Sequence, residues 1–174
     1  MPNTFELIAS STVGSAGAAS IDFSSIGSTY TDLCLKVSFR TNEAQSIGPA
    51  ILQFNANATG YTSRELVGTG ASTSSTSRGV LGSGMYLGNG VGGTATANTF
   101  GNMEIYIPNY AGSSNKSVSV NQVGEDNAAT AYATLLAGLW SNTAAITSIK
   151  LTPFSGGASF VQYSTAYLYG VKNA

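Results

Sequence analysis

The strongest constraint on the fold is a period-two alternation that recurs along the chain. Leu33, Leu35, Val37 and Phe39 occupy one parity, while Asp32, Cys34, Lys36, Ser38 and Arg40 occupy the other. Successive side chains of a strand point to opposite faces, so this pattern predicts a strand with one face in a core. Cys34 is then expected on the outer face, or as a small packing residue. A second alternating run covers 160–171, with Val161, Tyr163, Thr165, Tyr167, Tyr169 and Val171 on one parity. Both of its faces are fairly apolar, which predicts a central strand or one with an interface face.

Further strands are expected over 5–12, 20–23, 51–55, 63–68, 102–108, 117–123, 133–141 and 147–153. Turn clusters lie at 14–17, 55–60, 109–115 and 155–157. Eight to ten short strands with such turns predict an all-β antiparallel sandwich, jelly-roll-like, in one domain over 1–174. The segment with the best helical composition is 126–137, which reads nearly as well as a loop followed by a strand. The stretch 69–99 stands apart, with eight glycines, many Ser and Thr, and one charge, Arg78. Loops this long are usually functional or disordered. It is therefore expected as an insertion held by something else, such as a neighbouring subunit, with an edge strand within 80–87.

Composition limits the function. Only 9% of the residues are charged, and Ser, Thr, Gly and Asn make up 77 of 174. A typical soluble domain carries about 25% charged residues. A surface so nearly neutral has little repulsion to keep copies apart, which suits a fixed assembly. The seven cations, Lys36, Arg40, Arg64, Arg78, Lys116, Lys150 and Lys172, are spread along the chain. Nucleic acid and anionic membranes both require clustered bases, so neither is expected as a partner. The chain has no apolar run of transmembrane length. Its start, MPNTFELIASS, lacks the basic and apolar regions of a secretory signal, so synthesis in a cytoplasm is expected.

Catalytic and metal chemistry find few residues to use. The absence of histidine removes the usual general base and the commonest metal ligand. Cys34 is the single cysteine, so neither an intrachain disulfide nor a cysteine zinc site is available. The acids are Glu6, Asp22, Asp32, Glu43, Glu65, Glu104, Glu125 and Asp126. Glu104 falls on the polar parity of its strand. Glu125 and Asp126 sit in a turn-like GEDN sequence, where solvated side chains are expected. GNGVGG at 88–93 matches the string G-x-G-x-x-G, but TATANTF after it is a poor helix start, so a dinucleotide loop is not expected. Catalytic residues, metal ligands and cofactors are accordingly not expected, nor is enzymatic activity. Tyr163, Tyr167 and Tyr169 could form an aromatic patch, although core and rim packing is the simpler expectation, and Trp140 is expected in the core.

The segments PNTFELIASSTVG, YTDLCLKVSFRTN, NMEIYIPNYAGSSNKSVSV, LLAGLWSNTAAITSIKL and SFVQYSTAYLYGVKN resemble a family of small virion structural proteins of tailed bacteriophages, notably aquatic ones. The resemblance covers both ends and the middle of the chain and is weakest over about 43–97. It implies a structural protein of the virion, of decoration or tail-appendage type, with no catalytic residues to carry over. The first expectation is a capsid decoration (cement) protein that stabilises the head shell. It would be a homo-oligomer, with a trimer favoured, bound to the major capsid protein. The alternative is a tail-fibre or receptor-binding module that recognises host surface glycan.

Overall fold

A computed structural model describes residues 4–78, 82–127 and 131–172. They form twelve antiparallel strands in two sheets, and no helix. In chain order these are β1 (Phe5–Thr12), β2 (Ile21–Phe23), β3 (Asp32–Phe39), β4 (Ala50–Phe54), β5 (Tyr61–Gly68) and β6 (Thr73–Arg78). They continue as β7 (Met85–Tyr86), β8 (Gly101–Pro108), β9 (Lys116–Gly124), β10 (Tyr132–Trp140), β11 (Ile149–Pro153) and β12 (Thr165–Val171). Eight strands make the larger sheet, in the order β1-β12-β3-β8-β9-β10-β5-β6; the smaller is β2-β11-β4-β7.

The alternation seen in the sequence is the division between core and outer face. In β9, Lys116, Val118, Val120, Gln122 and Gly124 are buried, while Ser117, Ser119, Asn121 and Val123 are exposed. The inner parity of β3 joins Met103, Ile105 and Ile107 of β8 in the core, with Leu52 and Phe54 of β4 and Ile149 and Leu151 of β11. Burial of these side chains is the main favourable term, at about 25 cal/mol per Å2 of apolar surface. At one end, Trp140 packs in the core as expected. Its ring stacks on Tyr61 at 6.0 Å and lies 5.4 Å from Phe54. The Tyr61 hydroxyl accepts from the Phe54 N–H at 2.7 Å and donates to Asn57 O at 3.1 Å.

Several expectations are corrected. The two strands beyond the expected ten, β6 and β7, both lie in the tract expected as an insertion. Met85, Tyr86 and Leu87 are buried, with β7 at the edge of the small sheet, so this edge strand is two residues long; 79–81 lie outside the described residues. Of the two readings of 126–137, the loop followed by a strand is the one found: β10 starts at Tyr132, matching the strand expected over 133–141, and 128–130 lie outside the described residues. The run over 160–171 shortens to β12, because Tyr163 has a left-handed backbone (φ 72°) that no strand accommodates. Asp126, expected to be solvated, is buried, whereas Glu125 is exposed.

Burial governs the alkaline limit of this core. It pushes the Tyr61 and Tyr86 phenols up to about 12. An acid whose folded pKa is raised keeps its contribution below the unfolded pKa, near 10, and loses it as pH rises towards the folded one. Stability should therefore hold up to about pH 10 and fall between 10 and 12, by on the order of 3 kcal/mol for each phenol. Phenolate absorbance followed alongside circular dichroism checks this, since these two tyrosines should ionise only as the fold is lost.

Candidate interaction surface

The acids are engaged individually rather than gathered. Lys36 Nζ donates to Glu104 at 2.6 Å, Lys172 Nζ to Glu6 at 2.8 Å, and Arg78 reaches Glu65 at 2.8 Å. Asp32 accepts from the Tyr106 hydroxyl at 2.6 Å and from the Asn109 N–H at 2.8 Å. This bond to Asp32 raises the Tyr106 phenol to about 12. Glu43 accepts from the Ser155 N–H, and Glu125 from the Asn127 N–H. Among the described residues no three metal-ligating side chains cluster.

The broadest feature is the outer face of the eight-stranded sheet. Strand register aligns one row of side chains across all eight strands: Ser10, Tyr167, Lys36, Glu104, Asn121, Leu135, Leu66 and Ser75. Near one end of the row Leu66 is 53%, Leu135 58% and neighbouring Val123 47% exposed. With Ala133 they floor a groove of about 650 Å3, bounded by Asn102, Asn121, Thr73 and the Lys36–Glu104 pair. At the other end Phe5, Leu7 and Tyr167 are exposed, and the Phe5 ring meets Tyr169 edge-on at 6.3 Å. Solvent-facing sheet residues are ordinarily polar. This face therefore exposes apolar groups at both ends and is crossed by a single ion pair, an arrangement that contact surfaces often share.

Cys34 is on the outer parity, as expected, yet only 1% exposed, between its cross-strand neighbours Tyr169 and Tyr106. Burial pushes its thiol up, away from the reactive thiolate. Thiol reagents should label the protein only after denaturation, and labelling of the native chain would overturn this placement. Of the three tyrosines considered as a patch, Tyr167 and Tyr169 share the outer face. Tyr163 sits apart in the preceding turn, 69% exposed.

The C-terminal part of the glycine-rich tract, 90–99, is held by contacts within the chain, and the residue at their centre is Arg40, one of the cations spread along the sequence. Arg40, following β3, is buried and makes no ion pair among the described residues. Its Nη2 donates to Gly93 O at 3.0 Å and Ala95 O at 2.8 Å, and its Nη1 to Thr96 O at 2.6 Å and Thr99 O at 3.2 Å. Backbone bonds from Gly92 to Ser46 and from Gly93 to Glu43 clamp the same strap onto 43–48. The GNGVGG string is thus a packing element: a Cβ on Gly90 would strike the Phe39 ring, and one on Gly93 would lie 2.6 Å from Glu43 O. A signal was present in hindsight, since Arg40 is the only charge between Lys36 and Glu43 and directly follows a strand with one wholly apolar parity. Comparison with known protein families, with curated proteins and with solved structures gives no match.

Proposed function

We propose that this chain is a structural protein of a bacteriophage virion, acting as a capsid decoration protein. It sits on the head shell as a homo-oligomer, with a trimer favoured. The outer face of its eight-stranded sheet meets the major capsid protein. The observation that carries the reading is that face: exposed Leu66, Leu135, Val123, Phe5 and Leu7 on a surface crossed by one ion pair. The resemblance of the terminal and central segments to virion proteins supplies the biological setting. Modest contacts of this kind, repeated by symmetry, stabilise a shell by binding its assembled state.

The test compares particles with and without the protein under heat and osmotic shock. Particles lacking it should release their contents sooner, and equal survival removes the proposal. Leu135→Asp, which places a carboxylate on the face without touching the core, should abolish binding to shells while leaving the fold intact.

A second reading, a tail-fibre or receptor-binding module for host surface glycan, draws on Tyr163. An exposed tyrosine held in the left-handed region is strained, and strain of this kind gathers at binding sites. Stoichiometry in purified particles separates the readings. Decoration requires copies on the scale of the shell subunits, whereas a tail module requires only a small set.

A further inference from the structure

The two sheets have four outer strands, and three are guarded. In β1 the register shifts between Leu7 and Ala9, and Glu6 carries an ion pair with Lys172. β2 has three residues and carries Asp22, while β7 has only two. Short length, charge and bulges are the devices that keep strand edges from pairing with other chains. β6 is neither short nor bulged, and its only charge is Arg78 at its end. It runs for six residues as Thr-Ser-Ser-Thr-Ser-Arg, in unbroken register with β5 from Ser63↔Arg78 to Gly68↔Thr73. Thr73 to Ser77 are all exposed. Half of the backbone N–H and C=O groups of an outer strand point away from its neighbour, and no described strand takes those of β6.

Its one charge is directed elsewhere. The Arg78 side chain turns to Glu65, a buried carboxylate, and lies over the Tyr86 ring at 4.4 Å. A cation that could have protected the edge is thereby drawn inward, between the sheets.

We propose that β6 pairs antiparallel with β6 of a second copy, across a two-fold axis normal to the sheet, making one continuous sheet of sixteen strands. Such an axis keeps the outer faces on the same side, so each residue meets one of its own parity. Centred on Ser75, the register sets Ser75 against Ser75, Ser74 against Thr76, and Thr73 against Ser77. Each of these pairs joins two small hydroxyl side chains, Arg78 falls opposite Ser72, and no like charges meet. That self-complementarity is why the occupant is a second copy; an unrelated strand has no reason to match it. The net charge of -1 opposes the approach only weakly. A single ladder of five residues per copy is small beside the roughly 800 Å2 per partner of a stable interface. The contact is therefore weak in free solution and accumulates where copies are held side by side. The inference stands independently of the decoration reading, because it concerns only how copies meet.

Two sets of variants of the full chain test it. Ser75→Cys under mild oxidation should give an interchain disulfide dimer, at concentrations where Ser119→Cys, equally outward on β9, stays monomeric. Cys34 is buried and does not compete. In sedimentation equilibrium, Ser75→Lys and Ser75→Glu should each weaken self-association at least tenfold, and mixing the two should restore it. Circular dichroism confirms that each variant folds. The proposal is overturned if Ser75→Cys cross-links no faster than Ser119→Cys, if the parent chain shows no self-association, or if the charged variants associate like the parent.

Discussion

Arg40→Met is expected to cost about 3–5 kcal/mol of folding stability, lowering Tm by on the order of 10 °C. The guanidinium ties the carbonyls of Gly93, Ala95, Thr96 and Thr99 to the end of β3. Hydrogen bonds from a charged donor contribute more than neutral ones, and removing the donor leaves the buried Ala95 carbonyl unmatched, which costs more than the bond is worth. Met keeps the aliphatic bulk, so the loss reports the fork and not a cavity. Arg40→Lys should recover only part of it, since one ammonium cannot span four carbonyls that a planar fork reaches in two directions. The backbone of Arg40 also holds the turn carrying Tyr163: its carbonyl accepts from the Val161 N–H at 2.9 Å, and Ser164 Oγ bonds to it at 3.3 Å. Urea unfolding measures the global cost, and limited proteolysis should cut the Met variant first within 93–99. A variant as stable and as resistant as the parent would mean that the backbone clamps hold the strap unaided.

How far the fold was legible follows from which faces are polar. β3 and β9 were readable because one parity is apolar and the other is not. β10 was legible as a strand over 133–141, but with a rival helical reading, because its outer face is apolar as well. Ala133, Leu135, Ala137 and Leu139 point outward, so the strand carries apolar residues on both parities and the period-two signal is weakened. Its Ala and Leu content then reads as helix propensity, which pairing with β5 and β9 overrides. β7 is too short for any periodicity to register. In the strap the local signal was real but pointed to the wrong cause: glycine frequency marks flexible loops and crowded backbones alike, and only the fold separates them. Asp126 was misplaced for a related reason, because a GEDN turn is ordinarily solvated.

Gly92 is where crowding can be tested apart from flexibility. Its backbone lies outside the left-handed region, so alanine is conformationally permitted there. Space is what forbids it. A Cβ would lie 2.6 Å from Ile47 O and 2.8 Å from the Ile47 carbonyl carbon, and closer still to Gln45 O. These are backbone atoms that cannot rotate away. The Gly92 N–H is meanwhile fixed on Ser46 O at 2.9 Å, so the strap cannot lift without breaking the clamp. Gly92→Ala should therefore cost at least about 3 kcal/mol, beyond the usual range for overpacking a side-chain site. Gly82→Ala, at a position with nothing within 4 Å and no positive φ, should be neutral or slightly stabilising. The pair of measurements also decides what the GNGVGG string is for. A phosphate-cradling loop would leave the alanine variant folded and deficient only in nucleotide binding. A packing element makes it fail in the melting curve with no ligand present. Equal stability of the Gly92 and Gly82 variants would refute the packing account, because nothing but the approach of the 43–48 backbone distinguishes the two sites sterically.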